Sequence, residues 1–349
     1  MAKKSKNLIN IEFAFARIAF AVFGILPRGA AIRVCTWIMR ALPSFLPALR
    51  RTGMTNLEIA FPEKSLNERR DILRGTFENL GRVLGELSQF HKYTAENLAA
   101  LIDFELDDES KELYKQNKEI GRGVLITTGH LGNWEMLVLG FAALYEPISY
   151  LARPLDNPKI DDMLNELRTK FGNMPINKNH SAMTAIRILK EGGLLGILSD
   201  VNAHPKEGVF VPFFGVSACT TIGAAMIALR SNSFIYPTFC VWDHETKKYK
   251  IVHGKLLEPA NTGDRKQDVI ETTAAYTAEI EKIIRAYPDQ WMWIHKRWKT
   301  RPPGEPDIYS KDADERAWEN SFANSQDQLS ALADDALTEQ NSGRIRPLD

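Results

Sequence analysis

The residues of this chain best suited to chemistry lie in one short run, Gly129-His130-Leu131-Gly132-Asn133-Trp134-Glu135. An imidazole and a carboxylate five positions apart can serve as a base and its partner if the chain between them turns, because same-face spacing on a helix is four. In that arrangement Glu135 fixes the tautomer of His130 and stabilises the imidazolium formed when the other ring nitrogen takes a proton from an alcohol. A hydroxyl activated in this way suits attack on a thioester. No Ser or Cys in a G-x-S-x-G setting accompanies the pair, which favours direct transfer over an acyl-enzyme intermediate. Gly129 and Gly132 allow a tight turn and close approach of substrate to backbone, and Asn133 is placed to cap a helix starting at Trp134. The spacing is not H-E-x-x-H, and His91, His180, His204, His244, His253 and His295 form no ligand set, so no metal is expected.

The elements that must position this run follow from periodicity. Gly123 to Thr128 is short, apolar and rich in β-branched residues, which indicates a buried strand ending just before His130, the place where open α/β sheets present ligand-handling residues. Asn67 to Phe90 carries apolar residues at spacings of three and four, one helical face. Glu109 to Glu119, Trp134 to Tyr145, Asp156 to Phe171, Ala182 to Glu191 and Thr221 to Leu229 read as helices. Between them, Ile148 to Ala152, Leu194 to Leu198, Val209 to Phe213 and Phe234 to Val241 read as strands. A further strand over Tyr249 to Leu257 and a helix over Gln267 to Ala286 precede a closing segment, Trp291 to Trp298. Such alternation predicts an α/β fold with a mixed, mainly parallel sheet and helices on both faces.

The flanks differ from this core in charge. The chain of 349 residues carries 44 basic and 44 acidic residues, a balance that argues against general nucleic-acid affinity. Residues 1–51 hold nine Lys or Arg against Glu12 alone, and this basic, apolar front end suits an anionic membrane surface. Leu8 to Leu26 is apolar apart from Glu12 and Arg17, with an uninterrupted run only from Ile18, short for a membrane span. Ala30 to Leu49 has the composition of an interfacial helix pair broken at Pro43 and Pro47. The chain thus divides into a membrane-anchoring region at 1–52, a catalytic domain at 53–303, and an acidic extension at 304–349 whose composition allows disorder, with helical pieces around Ala317 and Leu329 to Leu337. Cys35, Cys219 and Cys240 match no metal or redox spacing and read as reduced core or interface residues of a cytosolic-facing protein.

These residues resemble a known family, the bacterial lipid A biosynthesis acyltransferases of the lauroyl or myristoyl type, within the wider lysophospholipid acyltransferase group. The similarity runs from about Asn56 to Pro302. Its pieces are Asn56-Leu57-Glu58, Phe61-Pro62-Glu63, the GHLGNWE run, Arg153-Pro154, Asn157-Pro158, Asp200, GVFVPFFG at 208–215 and WMWIHKRWK at 291–299. The resemblance implies a glycerolipid acyltransferase-like fold with N-terminal membrane-associated helices, at the cytoplasmic face of the bacterial inner membrane. It implies transfer of a fatty acyl chain from acyl carrier protein or coenzyme A to a hydroxyl of a phosphorylated glycolipid, without a cofactor. His130 maps to the catalytic base and Glu135, where the wider group more often has Asp, to its partner. Arg153 is a candidate for holding acceptor phosphate or oxyanion charge, since a guanidinium supplies a rigid fork of donors. Asp200 is a candidate for orienting an acceptor hydroxyl or a basic neighbour. Asn133 and Phe214 complete the candidate substrate-binding set, Phe214 as part of an apolar cluster with Phe210, Val211 and Phe213 that is either acyl-chain groove or core. Trp291, Trp293 and Trp298 with Lys296, Arg297 and Lys299 suit a lipid headgroup boundary or closure of the domain by aromatic packing. The stretch Val201 to Lys206 departs from the Gln-containing family pattern, so an acceptor other than lipid A, such as a lysophospholipid or an amino-acid lipid, is the alternative. A catalytically idle membrane-binding relative is a further one.

Overall fold

A five-residue strand buried along its whole length organises the molecule. In the computed structural model, which describes residues 5–104, 108–152, 154–176 and 181–309, Val124–Thr128 lies between two parallel partners. Arg153 and the segment from residue 310 onward, including the expected helical pieces of the extension, lie outside the described residues.

Four helices come first: α1 (Lys6–Ile25), α2 (Arg28–Phe45), α3 (Pro47–Ala60) and α4 (Leu66–Leu87). At 20 residues α1 is long and apolar enough to cross a membrane by length and composition, and little of it is buried. Asn157 ties it to the domain by donating to the Ile9 carbonyl (2.8 Å) and to Glu12 (2.9 Å). The expected break at Pro43 does not occur. Proline there sits within α2, and the chain breaks at Leu46, leaving Pro47 at the start of α3, where its missing N–H costs nothing. A capping box between Ser65 and Glu68 starts α4. It packs against α2 at backbone contact distance: a Cβ on Gly85 would lie 2.7 Å from the Ile32 Cα, and one on Gly81 would overlap Thr36. A partly buried ion pair of Arg28 with Glu86, which also accepts from the Tyr93 hydroxyl, pins the start of α2 to the end of α4.

The rest alternates as α5 (Ala95–Leu101), β1 (Ile102–Asp103), α6 (Asp108–Glu119), β2 (Val124–Thr128), α7 (Trp134–Leu144), β3 (Ser149–Leu151), α8 (Pro158–Arg168), β4 (Met174–Ile176), α9 (Ser181–Lys190) and β5 (Leu194–Leu198). It continues with β6 (Gly208–Phe213), β7 (Val216–Thr221), α10 (Gly223–Ser231), β8 (Phe234–Asp243), β9 (Lys248–His253) and α11 (Arg265–Ala286). The main sheet has the order β1-β9-β8-β2-β5-β3-β4, parallel throughout except for the β8–β9 pair. Side chains of β2 alternate between two apolar cores. Leu125 faces residues of α9, α10 and α11, whereas Val124 and Ile126 face those of α5 and α7. The expected α/β fold with a mixed, mainly parallel sheet is the fold observed.

The stretch Val209 to Phe213 behaves differently from the expectation of a strand in that sheet. It belongs to β6, which pairs antiparallel with β7 as a separate two-stranded hairpin. The two turn residues, Phe214 (φ 50°) and Gly215 (φ 74°), are both left-handed, as a two-residue hairpin turn of matching twist requires. Phenylalanine is strained there, and its backbone N–H donating to Glu281 (2.6 Å) and its ring packing against Phe61, Trp293 and Phe213 hold it in place.

Candidate active site

The register of β2 with β5 builds the site. Thr128 is aligned with Leu198, so the two strands end level, and His130 and Asp200 each follow two residues later. The Ser199 N–H donates to the Thr128 carbonyl (2.9 Å) and carries the pairing past the strand ends. Asp200 then holds His130 twice. Its Oδ2 accepts from the His130 backbone N–H (2.7 Å), and its Oδ1 lies 2.9 Å from the His130 Nδ1. Gly129 is obligatory at this crossing, because a Cβ there would fall 2.7 Å from the Asp200 carboxyl carbon.

The turn after His130 is clamped from three sides. Gly132 adopts φ 64°, and a Cβ on it would overlap the Cys240 carbonyl of β8. The Asn133 N–H donates to that carbonyl (2.7 Å), the Met292 N–H to the His130 carbonyl (3.0 Å), and the Asn79 amide to the Gly132 carbonyl (2.7 Å). Asn133 is fully buried; its side chain caps α7 through Met136 (3.0 Å) and donates to the Tyr249 hydroxyl. The structure therefore makes Asn133 a cap for the turn that carries His130, set apart from the cavity lining.

The carboxylate that meets the His130 ring is Asp200. Glu135, in the first turn of α7, instead accepts two hydrogen bonds from Arg168 at the end of α8, 2.7 Å from Nε and 2.5 Å from Nη2. The five-residue spacing carries Glu135 toward α8, where the guanidinium matches a carboxylate bidentately. Arg168 carries no signal in the sequence beyond a basic residue in the last turn of an amphipathic helix. The other Asp200 partner also escapes local reading: Trp291 Nε1 donates to Oδ2 (2.8 Å) across ninety-one positions.

These contacts set the charges. Burial would raise the Asp200 pKa, but the facing His130 and three hydrogen bonds outweigh it and bring it down to about 2. Burial would lower that of His130, yet the charge and hydrogen bond of Asp200, with the nearby charge of Glu135, raise it above the ordinary value of 6.5. Burial lowers the pKa of His295, whose Nε2 accepts from the Asn202 N–H (3.0 Å) and so fixes the loop after Asp200. Arg297 is fully buried and donates to the Cys219 carbonyl (2.8 Å) and the Thr220 hydroxyl (2.5 Å). Burial draws its pKa down to about 10, so it stays charged at neutral pH.

The WMWIHKRWK segment is a closure of the domain. Trp291, Trp293 and Trp298 are buried in edge-to-face contact with Phe61, Phe213 or Phe214, and Asn56 of α3 donates to the Trp293 and His295 carbonyls (2.6 and 2.7 Å). Phe214 is thus core and turn, outside the lining of the cavity that His130 opens onto.

That cavity has a volume of about 540 Å³ and runs between α4, α7, α8 and β3. Val83, Leu84, Leu137, Val138, Ile148 and Leu164 give it an apolar wall, while His130, Glu135, Tyr150 and Arg168 are its charged or titratable lining. An apolar cavity with a few convergent polar groups fits a long hydrocarbon carrying a reactive end. Among the described residues no group of His, Cys, Asp and Glu could hold a metal ion.

Comparison with known proteins places the chain in one family. Residues 1–300 match the family described as bacterial lipid A biosynthesis acyltransferase. The chain is 31% identical over 256 residues to the lipid A biosynthesis lauroyltransferase of Escherichia coli (strain K12), covering 73% of this chain and 80% of that protein. It is 28% identical over 269 residues to the palmitoleoyltransferase of the same strain (76% and 83% covered) and 24% over 264 residues to its myristoyltransferase (75% and 79% covered). The chain belongs to the bacterial lipid A biosynthesis acyltransferase family and is an acyltransferase.

Proposed function

We propose that the protein moves a fatty acyl chain from a thioester of acyl carrier protein or coenzyme A to a hydroxyl of a lipid A precursor, with His130 as general base. The hydrogen bond between His130 Nδ1 and Asp200 carries this reading, because it leaves Nε2 as the basic nitrogen of a histidine that lines the apolar cavity. The acceptor hydroxyl gives its proton to Nε2 as its oxygen bonds to the thioester carbonyl carbon. The tetrahedral adduct then collapses, the carbon–sulfur bond breaks, and His130 returns the proton to the leaving thiolate. Asp200 stabilises the imidazolium between these steps, and the Glu135–Arg168 pair holds α7 to α8 around the cavity and adds negative potential at His130.

Arg153 remains part of the reading as a donor for acceptor phosphate or for the oxyanion. The apolar α1 and the basic front end support a location on a bacterial inner membrane, facing the cytoplasm. The test is mass spectrometry of lipid A from cells lacking the gene and complemented with wild type or His130→Ala. Wild type adds one acyl mass; the variant, folded by circular dichroism, adds none. Unchanged lipid A together with a new acylated phospholipid or amino-acid lipid overturns the acceptor, and activity of the folded variant overturns the base.

A further inference from the structure

A second cavity, of about 550 Å³, lies away from His130 where α2, α3 and the first half of α4 meet. Arg40, Arg50, Arg51, Arg69, Arg70 and Arg74 line it, against one carboxylate, Glu58. Ion pairing offsets part of this charge: Arg40 lies 3.4 Å from Glu78 and Arg74 3.0 Å from Asp71. Even so, the groove lining itself holds one carboxylate and six arginines. Half of them come from α4, outside the basic N-terminal stretch, so only the tertiary structure gathers them. Met54, Leu73 and Phe77 give the groove an apolar floor. None of these groups takes part in the chemistry at His130.

The helix that gives Arg40 to the groove points to its occupant. On α2, outside the groove lining, Trp37 one turn before Arg40 and Phe45 at the helix end have 71% and 76% of their surface exposed. Exposed aromatics on a helix that also supplies a guanidinium to the groove suit the boundary of a bilayer, where rings enter the interface while the arginines meet phosphates. An acidic protein surface would match the charge but leave the aromatics unexplained.

We propose that this groove docks the protein on a membrane by binding the phosphate groups of anionic phospholipid headgroups. It does not depend on the acyl-transfer reading, and its test involves no turnover. The full chain in neutral-detergent micelles is titrated with short-chain phosphatidylglycerol or phosphatidylcholine, and binding is followed by thermophoresis. Wild type binds phosphatidylglycerol at least tenfold more tightly. Arg50→Gln/Arg70→Gln lowers that affinity roughly 30-fold, the effect of removing two arginine charges from an anionic surface, and leaves phosphatidylcholine binding unchanged. A charge-matched control at the start of α11, Arg265→Gln/Lys266→Gln, binds as wild type. If the double variant fails to fold, Arg70→Gln alone must still show a severalfold loss. The proposal is overturned if the groove variants and the control bind phosphatidylglycerol alike, or if inorganic phosphate at constant ionic strength occupies the groove as tightly as the lipid. It also falls if the variants keep lipid affinity and lose binding to an acidic acyl carrier protein.

Discussion

His130 and Asp200 stand 70 residues apart in sequence, yet Asp200 grips both the ring and the backbone of His130, at 2.9 and 2.7 Å. One carboxylate thereby sets the position of the His130 ring, its tautomer and its charge. The consequences for acid–base behaviour separate Asp200 from Glu135.

Asp200→Asn removes the more strongly acting of the two negative charges that raise the His130 pKa. The raised pKa of His130 means that its basic form is lost on acidification at a higher pH than for a free imidazole. In the variant the acid limb of kcat/KM therefore moves to lower pH, and the plateau falls on the order of 10²- to 10⁴-fold, the span of general-base effects. A pH profile that keeps the wild-type limb would remove Asp200 from this role.

Glu135→Gln acts on His130 only through charge at a distance, and it weakens the anchor of a largely buried Arg168. Its acid limb moves less than that of Asp200→Asn, while thermal unfolding shows a loss of about 2 kcal/mol, the usual cost of breaking a charge-assisted bond. Profiles of the two variants measured side by side decide the assignment; the larger limb shift in Glu135→Gln would make it the orienting group.

Stability follows the same carboxylate with the opposite pH sense. Because the Asp200 pKa is depressed from 3.8 to about 2 in the fold, its contribution is complete above 3.8 and disappears as pH falls through about 2. Unfolding free energies of wild type and Asp200→Asn from denaturant titrations, separated at neutral pH by about 2 kcal/mol, should converge over that acidic interval.

Gly132→Ala places a Cβ against the Cys240 carbonyl at a left-handed position. The turn carrying His130 has to shift, so activity falls by at least about 100-fold while secondary structure is retained, an ångström-scale misplacement being enough for that loss. Near-normal turnover by a purified, folded variant would show that the turn does not set the geometry.

Gly196→Ala narrows the cavity wall. A Cβ at Gly196 meets Ile148 at an ordinary 3.5 Å, so the fold accepts the methyl group while the space for hydrocarbon shrinks. Acyl donors of graded length should show the preferred chain shortened. An unchanged profile would place the acyl chain elsewhere.

Much of the fold was legible because its signals are local. The buried run at 124–128, the three-and-four spacing of Ile72, Leu73, Phe77 and Leu80, and the alternation of elements report which backbone periods can hide apolar side chains. His130 was legible too, as a histidine between a strand and a helix. Short or ambiguous pieces were not: β1 and β4 are two and three residues long, and β6 reads as a sheet strand although it forms a hairpin of its own.

The sequence by itself determined the family, the strand-turn-helix carrying His130 and the basic character of the front end. Tertiary structure alone decided which carboxylate meets His130, which cation meets Glu135, that Phe214 turns a hairpin, and that six arginines share one groove. The reason is physical. Local patterns state which face of an element is apolar, but partners are chosen by strand order and register, and those arise from packing every face of the chain at once.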